Sequence, residues 1–307
     1  MTAVDFFASS RVLIVAGKGG VGKTTVGATV GLAAARTGSD VLLVELEGHS
    51  NLGSPFGHDR LPYEAVTLLT TKAGGVLRGR QITPDLALQE YLDASGLGRV
   101  SSRLVRSGAV EVVATAAPGI RDLLALGKIR QLEQRREADL IVVDAPAAGH
   151  AVTFLRAPTG LATAASSGPV RYQAEQVLEL FGDASRCQVV LVTLPEEAPV
   201  TEVIETAFSL EDLVGLHLGP VVVNSCWPAI DGLDAALARR DATCPAERAA
   251  RYRLDRIAAQ TDELARLRAE LPLPQLELPF LFTTAVDRAG VDQLADVLVE
   301  QLDRGLG

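Results

Sequence analysis

Sulfur and aromatic side chains are scarce in this chain. Its 307 residues include three cysteines and a single methionine, the first residue. Cys187, Cys226 and Cys244 are odd in number and irregularly spaced, which excludes a disulfide framework and fits a reducing compartment. Aromatics make up 4% of the residues and histidines number four, so the composition holds no sign of a base-stacking surface. Basic charge is in deficit as well. Lys and Arg number 29 against 38 Asp and Glu, and the net charge of −9 speaks against a nucleic-acid partner. No uncharged apolar run reaches the roughly 18 residues of a membrane-spanning helix. Even "VGLAAARTGSDVLLVEL" is broken by Arg36 and Asp40. The opening "MTAVDFFASSR" has an early acid and lacks the apolar core of a secretory leader. Together these absences lead to the expectation of a cytoplasmic protein without direct membrane insertion.

What the chain has is aliphatic surface to bury. Hydrophobic residues make up 48% of it, enough for a large core. Short apolar runs, "RVLIVA" (11–16), "DVLLVEL" (40–46), "LIVVDAP" (140–146), "CQVVLVTLP" (187–195) and "GPVVVNS" (219–225), alternate with helical patterns such as Thr24–Arg36 and Pro199–Val214. "LPQLELPFLF" (273–282) reads as a last strand or extended segment. Continuous apolar strands separated by helices predict an α/β fold, a doubly wound and mostly parallel sheet, with its site at the carboxyl ends of the strands. We expect one domain over 1–307. A helical insertion falls at about 84–136 and a second helical, Arg-rich segment at about 231–270.

The most informative stretch is Gly17-Lys18-Gly19-Gly20-Val21-Gly22-Lys23-Thr24, followed by Thr25. It fits G-x-x-x-x-G-K-[ST] between a strand and a helix, the context in which that pattern binds nucleotide phosphates. Glycines let successive backbone N–H groups turn inward around phosphate oxygens, and the helix N-terminus adds partial positive charge. Lys23 is the β- and γ-phosphate lysine of this scheme, and the Thr24 hydroxyl is the Mg²⁺ ligand. Lys18 is surplus to it.

With that extra lysine, "GKGGVGKTT" resembles the deviant phosphate loop of the ATPases related to MinD, ParA, the nitrogenase iron protein and ArsA. The resemblance implies that Lys18 is the signature lysine, reaching across a dimer interface to the other subunit's phosphates. Three further stretches are similar to the ArsA branch, which includes the arsenite-pump ATPase and the tail-anchored-protein targeting ATPase. "VVDAPAAGHAVTFLRAP" (142–158) resembles its second switch, D-T-A-P-T-G-H-T, with Asp144, Gly149, His150 and Pro158 at matching spacings and Ala145 in place of a threonine. This implies that Asp144 holds Mg²⁺ through water and that the Gly149 amide faces the γ-phosphate. His150 stays open between a packed histidine and a switch residue. "LLVELEGHSNL" (42–52) stands where the branch has D-P-A-H-N-L. Glu47 replaces the water-positioning aspartate, with Glu45 as the fallback. "VTLPEEAPVTEVIETAFSLEDL" (192–213) and "GPVVVNS" put Asn224 in the position of the adenine-reading asparagine. Region 77–136 resembles the branch more loosely, through "RQITPDLALQEYL" and "AAPGIRDLLALGK".

The family resembled is thus the ArsA-type anion-transporting ATPases, here as a shorter bacterial member. It implies ATP as ligand and Mg²⁺ as cofactor, hydrolysis of ATP, and a homodimer or a heteromer with a paralogous ATPase, coupled to a membrane or client protein. The zinc-clamping C-x-x-C of the targeting branch is reduced to Cys244, with Asp241 three residues earlier, which argues against zinc. One methionine argues against a Met-rich client groove. No cysteine trio suits arsenite. "VDQLADVLVEQLDRGLG" (291–307) pairs an apolar face with an acidic one and reads as a docked helix, not a membrane anchor. The altered switches leave a second reading, a nucleotide-gated scaffold or regulatory subunit with little turnover. A MinD- or ParA-like positioning ATPase is a third, disfavoured by the acidic balance.

Overall fold

The computed structural model describes residues 2–46, 51–94, 119–237 and 244–305. Helix α1 (Ala3–Ala8) leads into β1 (Val12–Gly17), α2 (Lys23–Arg36) and β2 (Val41–Leu46). A 3-10 turn (Ser54–Phe56) precedes the hairpin of β3 (Val66–Thr70) and β4 (Val76–Ile82). Helices α3 (Pro84–Ala94) and α4 (Ile120–Gln134) follow, then β5 (Leu140–Ala147), α5 (Ala148–Ala164) and α6 (Pro169–Phe181). The chain continues through β6 (Cys187–Thr193), α7 (Glu197–Val214), β7 (Leu218–Cys226), α8 (Leu233–Leu237), α9 (Pro245–Glu270), β8 (Gln275–Pro279) and α10 (Arg288–Arg304). Among the described residues no helix is long and apolar enough to cross a membrane.

The eight strands form one sheet in the order β3-β4-β2-β5-β1-β6-β7-β8, parallel except for β3. Alternation along each central strand feeds two cores. Val12, Ile14 and Ala16 of β1 face one side with Leu42, Val44, Ile141 and Val143. Leu13 and Val15 face the other with Val41, Leu43, Leu140 and Val142. Being buried on both faces is what makes these strands read as unbroken apolar runs.

Helix α10 closes the second core. Val291, Leu294, Leu298 and Leu302 are buried there, each worth about 1.5–3 kcal/mol of burial. Its acidic side is held as well, since Arg36 of α2 reaches Asp292 and Asp296, both at 2.6 Å. The apolar face is therefore docked on the domain, as the acidic polar face led us to expect.

Two strands are absent from the sequence reading. Region 77–136, whose family resemblance is loose, begins with β4 ahead of the helical insertion, and the run "VLRGRQI" is broken by two arginines. Tertiary partners make those charges tolerable in a sheet. Arg78 pairs with Asp40 at 2.9 Å. Arg80, 3% exposed, lies over the Tyr63 ring at 4.8 Å. Within the insertion, α3 and α4 are helical as expected, and residues 95–118 lie outside the described residues. With α6 they border an apolar cavity of about 510 Å³ lined by Tyr91, Leu123, Leu124 and Val170 among others.

The arginines of α9 are engaged in holding the fold. Arg256 pairs with Glu196 at 2.8 Å, and Arg266 donates to the Thr201 hydroxyl at 2.6 Å. Arg253 stacks 4.9 Å from the Phe282 ring centroid and 5.7 Å from that of Trp227. The Arg-rich segment is helical as expected, and the packed helix uses these cations to pin the start of α7 and the loops after β7 and β8.

Candidate functional site

Parallel pairing brings the ends of β1, β2, β5, β6 and β7 to one edge of the sheet. The glycine-rich loop leaves this edge after Gly17. A side chain at Gly17 would put its Cβ 2.3 Å from the Val192 carbonyl oxygen on β6, so only glycine fits there. Gly22, with φ of 87°, is the N-cap of α2, and Val26 N–H donates to its carbonyl at 2.9 Å. A Cβ at Gly22 would lie 2.3 Å from Asn224 Nδ2. Gly19 and Gly20 are exposed, and Val21 is buried.

The two lysines have separate addresses. Lys23 opens α2 and turns back into the loop, donating to the Lys18 carbonyl at 3.1 Å. Partial burial lowers its pKa from 10.5, and attraction to Asp144 opposes that shift. Lys18 points out of the loop toward α7, where its ammonium pairs with Glu202.

Asp144 sits on β5 within the strand, 2% exposed, and β5 continues to Ala147. It accepts from the Thr24 hydroxyl at 2.7 Å. A hydroxyl and a carboxylate brought together beside a helix N-terminus form an all-oxygen donor set of the kind hard divalent cations take, so the residues fit Mg²⁺. Gly17 and Gly22 let the loop backbone lie directly against Val192 and Asn224, where a side chain has no room. Among the described residues no group of three or more His, Cys, Asp and Glu could hold a metal by itself.

Glu45 on β2 is the register neighbour of Asp144 and is 3% exposed. Its Oε2 accepts from Leu52 N–H at 3.0 Å and its Oε1 from Gln81 Nε2 at 3.2 Å. It thus ties the return of the loop after β2 to the strands. Glu47 lies outside the described residues. Gly149 is the second residue of α5, a helix that begins directly after β5, so its amide belongs to an orphan N-terminal turn suited to anions. His150 beside it is exposed, which removes the packed-histidine alternative. Asn224 lies two residues before the end of β7, 8% exposed, and donates through Nδ2 to the Val21 carbonyl at 2.9 Å.

Sequence reasoning missed the roles of Glu202, Gln81 and the Leu52 amide. Glu202 lies within residues 192–213, but no local pattern links it to Lys18. Cys187 opens β6 and Cys226 closes β7, neighbouring parallel strands, so the two thiols lie at opposite ends of the sheet. Both are buried, and burial pushes both thiols up, Cys226 to about 12.

A parallel sheet with this loop on its central strand, a Thr24–Asp144 pair and a helix N-terminus beyond it define a phosphate-loop nucleotide hydrolase. The model of the anion-transporting ATPase family matches residues 10–167, which spans the loop, β2 and the Asp144 segment. The chain is 33% identical to the ATPase BagA of Mycobacterium tuberculosis over 95% of this chain and 93% of that protein. It is 27% identical to a putative arsenical pump-driving ATPase of Halobacterium salinarum over 94% of this chain but only 47% of that protein. It is 31% identical to the ATPase get3 of Schizosaccharomyces pombe over half of this chain and 45% of the relative. The chain belongs to the anion-transporting ATPase family. It binds ATP and is an ATP-hydrolysing enzyme.

Proposed function

We propose that the protein is a Mg²⁺-dependent switch ATPase that works as a dimer, either of two copies or with a paralogous ATPase, and couples hydrolysis to a partner or client protein. The observation that carries this reading is the divergence of the two loop lysines. Lys23 serves the loop it starts from. Lys18 leaves that loop, and a second phosphate-reaching lysine has most to do between subunits.

In this reading the backbone amides of Gly17–Thr25 cradle the phosphates and Lys23 neutralises the β- and γ-phosphate charge. The lowered pKa of Lys23 reflects burial that the arriving anion would repay. Thr24 and Asp144 would hold the Mg²⁺, the former directly and the latter through water. The metal would supply charge neutralisation on the phosphate oxygens. Glu47 orients the attacking water and accepts its proton. Glu45 anchors the loop that carries Glu47, through Leu52. The Gly149 amide senses the γ-phosphate. Loss of that contact on hydrolysis frees the segments after β2 and β5, the order-to-release logic of nucleotide switches. Asn224 reads adenine, its Oδ1 accepting from the base amino group while Nδ2 keeps its bond to the loop. Zinc has no role in this scheme, nor has nucleic acid. The whole chain acts as one phosphate-loop domain.

The test is turnover and ATP binding measured side by side on the wild type, Lys23→Ala and Glu47→Gln. The reading expects turnover in the wild type, loss of binding and turnover in Lys23→Ala, and retained binding without turnover in Glu47→Gln. ATP binding with no wild-type turnover, in the presence of any copurifying ATPase, would replace the switch enzyme by a nucleotide-gated scaffold.

A further inference from the structure

The ion pair of Lys18 with Glu202 joins residues 184 positions apart and has no place in a single-subunit hydrolytic scheme. Its geometry follows from the sheet. β6 pairs with β1 so that Val192 lies opposite Gly17. The loop after β1 and the first turns of α7 after β6 therefore emerge side by side. That part of α7 is fixed from behind by α9, through Arg256 on Glu196 and Arg266 on the Thr201 hydroxyl. Glu202 is thus presented to the loop from a braced helix, while Lys18 comes from a loop rich in glycine. Both side chains keep solvent contact, Lys18 at 40% and Glu202 at 38% exposure. A pair so exposed is weak and exchangeable.

We propose that Glu202 is the in-chain positioning residue of Lys18. It holds the ammonium on the α7 side of the loop in the lone subunit and gives it up when the phosphates bound to a second copy of this chain arrive. This rests on the reading of Lys18 as a residue that acts between subunits. A single carboxylate charge competes poorly with a polyphosphate, so the exchange runs toward assembly. Its loss must still be repaid, so Glu202 sets how much ATP-loaded protein is needed to assemble. Without Glu202 the lysine is free beforehand, and assembly tightens by about two- to five-fold, the worth of an exposed ion pair.

Sedimentation with a non-hydrolysable ATP analogue and Mg²⁺ tests this on the full chain. The dimer dissociation constant is measured for the wild type, Glu202→Gln, Glu202→Asp, Lys18→Ala and the double variant. Glu202→Gln should assemble about two- to five-fold more tightly, with the difference shrinking as salt is raised. Glu202→Asp should fall near the wild type. In the Lys18→Ala background Glu202→Gln should change nothing, an outcome that a merely structural role for Glu202 does not produce. If the wild type assembles and Glu202→Gln matches it, or shifts it equally without Lys18, the positioning role is wrong while the dimeric reading stands. If the wild type does not self-assemble at all, the homodimeric reading falls and the role of Glu202 with it.

Discussion

The Thr24 hydroxyl donates to Asp144 Oδ2 at 2.7 Å, joining the first turn of α2 to a buried carboxylate 120 residues away. The fold itself thus brings together two oxygen groups of the kind that hard divalent cations take. Thr24→Ala and Asp144→Asn should each reduce Mg²⁺-dependent turnover by about a hundredfold or more, the scale of losing one group that acts on developing phosphate charge. A Mg²⁺ titration of turnover checks this. Wild-type metal dependence in Asp144→Asn would remove Asp144 from the site.

Glu45 and Glu47 compete for the attacking water in the proposed scheme, and the geometry gives Glu45 a structural task. Both Glu45 carboxylate oxygens accept hydrogen bonds in a buried position. A glutamine keeps only one acceptor oxygen, and an unmatched buried donor costs about 1–3 kcal/mol. Glu45→Gln should therefore lower stability by that amount in urea unfolding. Glu47→Gln should leave the unfolding curve in place and lower turnover. The reverse pattern would pass the water to Glu45.

The insertion is tied to the sheet edge through Glu90. It accepts from Lys128 Nζ at 2.6 and 2.7 Å and from the Tyr63 hydroxyl at 2.9 Å. The Lys128 side chain is only 5% exposed, so Glu90→Ala strands a buried cation and should cost about 3 kcal/mol. Burial alone would raise the pKa of Glu90, but the bonds from Lys128 and Tyr63 outweigh it and leave the value below 4.5. A carboxylate lowered in the folded state stabilises fully above its unfolded pKa and loses that contribution as pH falls through the lowered folded value. Acid unfolding below about pH 4.5 should therefore be shallower in Glu90→Ala than in the wild type.

Cysteine reactivity should divide sharply. Cys187 and Cys226 are buried and Cys244 is exposed. The thiolate is the nucleophile, and burial suppresses it in the first two. Alkylation of the native protein at about pH 8 should label Cys244 alone, with the others labelled only on unfolding, as mass spectrometry of the peptides would show. Labelling of Cys226 in the native state would mean that the end of β7 opens.

Much of the site was legible because its chemistry is local. Phosphate cradling needs glycines at fixed offsets ahead of Lys23 and Thr24, and that spacing survives as a readable string. Asp144 announced itself as a lone carboxylate in an apolar run. The hairpin of β3 and β4 was illegible because Arg78 and Arg80 break the apolar pattern. Asp40 and Tyr63, which accommodate them, are near only in the folded chain.

By itself the sequence determined the α/β alternation, the phosphate loop and the family, since each depends on contiguous patterns of burial and glycine placement. Tertiary structure alone decided what distant residues do to that loop. Asn224 clasps the Val21 carbonyl from 203 positions away, and Glu202 claims Lys18. The physical reason is the sheet order. Placing β1 between β5 and β6, with β7 next, brings chain segments far apart in sequence to one edge, where single hydrogen bonds and ion pairs choose their partners.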